Sequence, residues 1–333
     1  MKIRVIGHSG ETRFPFGTSG PWKEFERVLL SRGHEICTAD MTEGADAVIT
    51  NSYHQGISTY MRKNQISKKR SILVLWEPYV VETTRYKNKV LSLFGTTFAP
   101  SIDWAETVGA RSFKWPQDEI PNTDVFANWT HRKSRAVMVQ GNKFSARKGE
   151  LYSLRREVIS SLGSASLDLY GTNWNKGVYF DIRKWMRSAT DSRISMIKPR
   201  SINGIGERYN NYLGKTEDKN KTLSMYKIAV VVENSADFVS EKLFDAVRAG
   251  CVTVYVGPSL EKYGIPNSSA IQVDANVEAI SSTVKQLLQI PEETLEDIAL
   301  NQRNSLLKVS QGWNNSTVLA NLAKEMIDIL EAG

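Results

Sequence analysis

The sequence predicts an α/β protein of two tandem open parallel sheets, finished by helices at the C-terminus. Three observations predict it. Short apolar runs alternate with helix-like segments through the first half, the order that builds a parallel sheet with crossover helices. The same alternation starts again near residue 134, after a polar, turn-rich stretch at 118–133 with no clean period. The length agrees, since 333 residues exceed the usual single core and set two domains as the expectation.

MKIRVIG opens the first half as a strand, followed by Gly10, Gly17 and Gly20. PWKEFERVLLSRG then reads as a helix. Pro21 stands at its first position, where a missing N–H costs nothing, and Gly33 at its end. EICTA, ADAVITN and SILVLW are further apolar runs separated by helical or loop segments. In the second half SRAVMVQGN is strand-like and SLDLYG returns as a strand. Between them ARKGELYSLRREVISSL reads as an amphipathic helix, with Leu151, Leu154, Val158 and Leu162 on one face. Residues 172–218 read as loops with short helices, and their Gly-x-Gly follows no strand, so it is no dinucleotide fingerprint. YKIAVVV and CVTVYVG are apolar throughout, the pattern of strands buried on both faces, and AIQVD reads as a third strand. Three helical segments follow, NVEAISSTVKQLLQ, PEETLEDIALNQRNSLLKV and STVLANLAKEMIDILEAG.

Hydrophobic content of 41% with 24% charged residues excludes disordered and fibrous classes. No run approaches the roughly 18 apolar residues of a membrane span, and the N-terminal apolar stretch is too short for a signal peptide. A cytoplasmic chain, or one peripheral to a membrane, is the expectation, with no integral membrane segment. Two cysteines, Cys37 and Cys251, cannot frame a disulfide-based fold and point to a reducing compartment. The net charge of +7 is spread along the chain without a nucleic-acid-binding signature, so nucleic acid is not an expected partner. Oligomeric state is not legible.

Polar groups concentrate in ENSADFVSEKLFDAVRAG, residues 233–250, between an apolar strand and a helix. Capping alone accounts for Ser240 at the helix start and Gly250 at its end. A ligand site accounts for more. Ligands of open parallel sheets collect at the carboxyl ends of strands, where helix N-termini favour anions. Glu233 and Asn234 stand at such a strand end, and Glu241 and Lys242 open the next helix. A carboxylate there can accept hydrogen bonds from a ribose diol, and the lysine can neutralise phosphate. Arg155, in the helix after the first strand of this half, can reach the same crevice.

YKIAVVVENSADFVSEKLFDAVRAGCVTVYVG resembles the donor-binding signature of glycosyltransferase family 10, the α1,3/α1,4-fucosyltransferases. The parts are Tyr226-Lys227, Glu233-Asn234-Ser235, Ser240-Glu241-Lys242, Ala249-Gly250 and Gly257. YLGKTEDKNKTLSMYK is similar to the family's approach to this strand, and RREVISSL followed by LDLYG to its arginine helix and next strand. The resemblance spans most of residues 134–257. It implies a GT-B fold, two Rossmann-like domains facing across a cleft. It also implies an inverting transfer of L-fucose from GDP-fucose to a glycan hydroxyl, in an α1,3-type linkage. Residues 1–130 would be the acceptor-binding domain and 131–310 the donor-binding domain, with 311–333 a C-terminal helix able to pack back on the first. Arg155 and Lys242 would contact the pyrophosphate, Glu241 the ribose or nearby sugar hydroxyls, and Asn234 would shape the pocket. Glu233 and Phe238 complete the expected donor-binding set. Two departures stand out: the Asn234–Lys242 gap is shorter than the family's, and Phe238 replaces an aromatic hydroxyl.

The family's general base is a carboxylate in a Glu-Ser-Pro-like stretch of the acceptor domain. SILVLWEPYVVE offers Glu77 before Pro78, without the serine, and Glu82 and His8 are rivals. No D-x-D occurs, so no metal and no tightly bound cofactor is expected, the site's cations serving the leaving phosphate. The expected partners are a nucleotide-sugar donor and an oligosaccharide or glycoconjugate acceptor. The Glu233-to-Glu241 spacing also resembles other GT-B transferases, which leaves open a different nucleotide sugar, or a nucleotide-sugar-binding homologue without activity.

Overall fold

The computed structural model describes residues 1–6, 22–37, 44–51, 55–121, 123–175 and 209–333. His8, the first three glycines named above and Pro21 lie outside the described residues, as does much of the loop-rich stretch before residue 209. The chain divides into two units, Met1–Glu119 with Gln311–Gly333, and Ile120–Ser310.

The first unit runs β1 (Lys2–Ile6), α1 (Trp22–Ser31), β2 (Glu35–Cys37), β3 (Ala47–Thr50), α2 (Gln55–Lys63), β4 (Ser71–Val74), α3 (Asn88–Leu91), β5 (Thr96–Ala99), α4 (Ile102–Val108) and β6 (Arg111–Ser112). Its strands pair in the order β2-β1-β3-β4-β5-β6, all parallel. Alternate residues feed opposite faces, as strand geometry requires. Ile3, Ala47, Ile49, Ile72 and Val74 enter one core, while Ile6, Val48 and Leu73 enter the other. The C-terminal helix Asn315–Ala332 completes the first core with Leu319, Leu322, Ala323, Met326, Ile327 and Leu330. That spacing of three and four is one helical stripe, and it packs beside Phe25, Val28 and Leu29 of α1.

The second unit runs β7 (Lys133–Val139), α5 (Tyr152–Ser166), β8 (Leu167–Tyr170), β9 (Tyr212–Gly214), α6 (Lys219–Leu223), β10 (Tyr226–Val232), α7 (Glu241–Arg248), β11 (Val252–Val256), β12 (Ile271–Gln272), α8 (Val277–Leu287) and α9 (Glu292–Ser310). Its strands order as β12-β11-β10-β7-β8-β9, again all parallel. β10 and β11 are buried along their whole length, as their unbroken apolar runs require. Two readings of the sequence need correction. The helix expected from residue 146 starts at Tyr152, because Gly149 takes a left-handed φ of 85° and the 149–151 segment bonds the β10 loop instead. AIQVD contributes only the two residues of β12.

β7 to β9 proceed toward one edge, and the chain then returns to the other side of β7 as β10. The strand order therefore reverses between β7 and β10. Ligands of open α/β sheets bind outside the carboxyl ends of strands at such a reversal.

Candidate functional site

The reversal point of the second unit is where the polar seam stands. Val232 ends β10, and the loop 233–240 carries the chain to α7. The loop is fastened along its length. Leu151 N–H donates to Asn234 O at 3.1 Å, Ala236 N–H to Gly149 O at 3.0 Å, and Tyr263 Oη to Asp237 O at 2.6 Å.

Glu233 is wholly buried. Its Oε1 accepts the Ser240 N–H at 2.9 Å and its Oε2 accepts the Ser240 hydroxyl at 2.6 Å. Ser240, the N-cap of α7, accepts in turn from Lys242 Nζ at 2.7 Å and Lys242 N–H at 3.4 Å. Lys242 Nζ also lies 3.4 Å from Glu233 Oε2 and 3.8 Å from Glu241 Oε1. Its side chain is 11% exposed, so the ammonium is held at the helix N-terminus rather than swinging in solvent. Glu241 is the open member, with 47% of its side chain exposed and Lys219 Nζ at 3.6 Å. Partial burial works against its ionisation, but the Lys242 and Lys219 ammoniums outweigh that and hold its carboxyl at about 2. At neutral pH Glu241 is an ionised acceptor at the mouth of the seam.

Arg155 is also buried, and its Nε and NH2 donate to Val232 O at 3.1 and 2.7 Å. NH2 donates further to Asn234 Oδ1 at 2.9 Å, and the guanidinium lies over the Tyr152 ring, 4.8 Å from its centroid. Burial lowers its pKa, opposed by Tyr152 and the nearby carboxylates. Arg155 thus braces the end of β10 and orients Asn234. Phe238 sits in the protein interior, 2% exposed.

Two groups escaped the sequence reading. Gln140 and Asn142 follow the carboxyl end of β7, across the strand reversal from Glu233. Both are buried, and among the described residues Gln140 Oε1, Gln140 Nε2 and Asn142 Oδ1 have no hydrogen-bond partner. Buried amide atoms without partners are costly, and their capacity is open to a ligand or water. Nothing in GN as a dipeptide distinguishes this from a plain turn.

In the first unit Glu77 stands half-buried after β4, its backbone carbonyl accepting the Tyr86 hydroxyl at 2.7 Å. Buried Arg85 donates to Asn51 O at 2.5 Å and lies 3.9 Å from Glu82. Burial lowers the Arg85 pKa, and the Glu82 and Glu77 charges oppose that, so these carboxylates share one cation's field. Beside Glu77, Trp76 stacks on Phe113 at 5.2 Å and meets Trp115 at 4.8 Å, all three rings partly exposed. Trp129, by contrast, is core. Among the described residues no group of three or more His, Cys, Asp or Glu is placed to hold a metal ion, and no helix is long and apolar enough to cross a membrane.

Two parallel-sheet units of this order are the GT-B class of fold, and solved structures of that class superpose on nearly the whole chain. The Anabaena protein HepE, solved with UDP-glucose, is 10% identical, with a TM-score of 0.55 over 98% of this chain and 99% of that one. An α-glucosyltransferase solved with UDP and mismatched DNA is 11% identical, with a TM-score of 0.57 over 99% and 100%. An α1,3-fucosyltransferase is 13% identical, with a TM-score of 0.54 over 99% and 90%. No curated protein sequence matches the chain. Residues 183–296 match glycosyltransferase family 10 (fucosyltransferase), C-terminal part. The protein is a glycosyltransferase with a family 10 domain over those residues.

Proposed function

We propose that the protein is an inverting fucosyltransferase that moves L-fucose from GDP-fucose to a hydroxyl of an oligosaccharide or glycoconjugate, in an α1,3-type linkage. The observation that carries this reading is the seam at the end of β10, where the ENS and SEK parts of the signature, set closer together than in the family, meet at a helix N-terminus. Residues 131–310 hold the donor, residues 1–130 bring the acceptor and base, and 311–333 form the C-terminal helix. No metal is assigned to the reaction.

Lys242 neutralises the pyrophosphate together with the N–H groups opening α7. Glu241, ionised, accepts from the ribose hydroxyls. Asn234, steadied by Arg155, borders the pocket, and Gln140 and Asn142 add unspent amide groups to its wall. In the transfer the acceptor oxygen attacks the anomeric carbon while the bond from that carbon to the β-phosphate oxygen breaks. The electron pair leaves with GDP, and the acceptor proton passes to Glu77. Positive charge fixed at the leaving group is the main stabiliser of such a step, whose transition state has oxocarbenium character.

A transfer assay with a panel of sugar nucleotides tests the proposal. Release of GDP from GDP-fucose, with inversion at the transferred carbon, is the expected outcome; turnover confined to a UDP-sugar contradicts it. UDP is the pertinent competitor, because one of the structures that share the fold was solved with UDP and another with UDP-glucose.

Two further outcomes are expected. Gln140→Leu removes a buried amide without partners, so the ligand-free chain should melt about 2 °C higher, while the rise in midpoint produced by GDP shrinks. A drop in the free chain's midpoint with the GDP shift intact would assign Gln140 to internal structure alone. Trp115→Ala should raise the acceptor KM about 10-fold and leave GDP affinity unchanged, since it trims a partly exposed ring packed on Trp76, the residue before the proposed base. Equal losses in both would remove the aromatic group from acceptor binding.

A further inference from the structure

We infer that Glu233 is a positioning residue: its buried carboxylate sets the Lys242 ammonium and the first turn of α7 in place for an anionic ligand and does not itself touch that ligand. The inference rests on the donor-site reading above and goes beyond it, since a glutamate at this strand end is otherwise expected to contact the donor. Three observations carry it. Glu233 has no exposed surface, so no ligand reaches it without a rearrangement. Both of its oxygens are engaged by Ser240, at 2.9 and 2.6 Å, and Oε2 is 3.4 Å from Lys242 Nζ. Ser240 Oγ then serves as the relay, donating to Glu233 and accepting from Lys242 Nζ at 2.7 Å.

The carboxylate is itself confined. A methyl group at Gly257 would stand against the Tyr255 hydroxyl and 2.9 Å from Glu233 Cγ. Gly257 follows the last residue of β11 and leaves room for Glu233 in its one observed position. A lysine ammonium fixed by a buried carboxylate pays its ordering entropy during folding, so less is lost when phosphate arrives. Lys242 remains the only member of the trio with side-chain surface open to solvent, at 11%. The arrangement therefore separates the group that holds from the group that binds.

The test is a double-mutant cycle read by GDP titration of the full chain, with Glu233→Gln, Lys242→Ala and the double variant. Glu233→Gln keeps the shape and removes the charge. It should weaken GDP about 10-fold in the native background and change it less than about 2-fold once Lys242 is alanine. Equal losses in both backgrounds, or tighter binding in Glu233→Gln, would overturn the inference. Acetylation of Lys242 by acetic anhydride, followed by mass spectrometry, gives a readout free of ligand, and labelling should be severalfold faster in Glu233→Gln. Unchanged labelling overturns the inference whichever nucleotide binds. If Glu233→Gln does not fold, Gly257→Ala displaces the same carboxylate and is held to the same cycle. Native chain that binds neither GDP nor UDP defeats the donor-site reading itself, an outcome distinct from additive losses in a chain that binds GDP.

Discussion

Lys242→Ala is expected to weaken GDP binding by about 10- to 100-fold and to lower transfer by at least as much. The reasoning is electrostatic. Its ammonium lies at the N-terminus of α7, with Ser240 Oγ at 2.7 Å, and little of it is exposed. A charge-assisted contact to phosphate made there is stronger than one made by a mobile surface lysine, because it is partly desolvated and pre-placed. On the proposed donor site the same charge would face the leaving group, so turnover should fall together with affinity. Calorimetry and initial rates on the one variant separate the two. A variant that bound GDP and transferred sugar like the native chain would place the pyrophosphate elsewhere.

Glu77→Gln is expected to lower transfer about 10²-fold or more, with GDP affinity unchanged. An amide of the same shape cannot take the acceptor proton, whereas nucleotide binding in the second unit does not depend on it. The prediction is sharpened by Glu82, which shares the field of Arg85 with Glu77. Glu82→Gln should leave the rate within a few-fold of native. The reverse pattern would move the base to Glu82, and loss in neither would direct attention to His8.

The fold was legible because its signals are local. YKIAVVV and CVTVYVG have no polar face, so they read as strands covered on both sides, and β10 and β11 are buried throughout. The repeated strand–helix order carried the two-sheet class for the same reason. What failed was decided by contacts between distant residues. Nothing local in ARKGE forbids helix, yet Gly149 and Leu151 are committed to hydrogen bonds with Ala236 and Asn234, and α5 waits for Tyr152. β12 stops at two residues although AIQVD has strand composition.

The site was legible as a list and not as an arrangement. ENS and SEK could be found at the end of a strand and the start of a helix, because those positions follow from the strand–helix pattern. Their division of labour could not. Glu233 and Glu241 are both acidic and both flank a loop, but one is sealed under Ser240 and the other is half-exposed and ionised between two lysines. Arg155 read as a cation facing the crevice, and the fold sends its guanidinium to the Val232 carbonyl and Asn234. Gln140 carried no signal, since an unpaired amide is a property of surroundings and not of sequence.

Titration of the native chain with GDP, UDP and GDP-fucose, without added metal, tests the central claim most directly. GDP and GDP-fucose should bind while UDP stays silent, with GDP binding weakened about 10- to 100-fold in Lys242→Ala. Binding of UDP in preference to GDP, or of neither, would contradict a guanosine diphosphate seam at the end of β10 and with it the assignment of fucose.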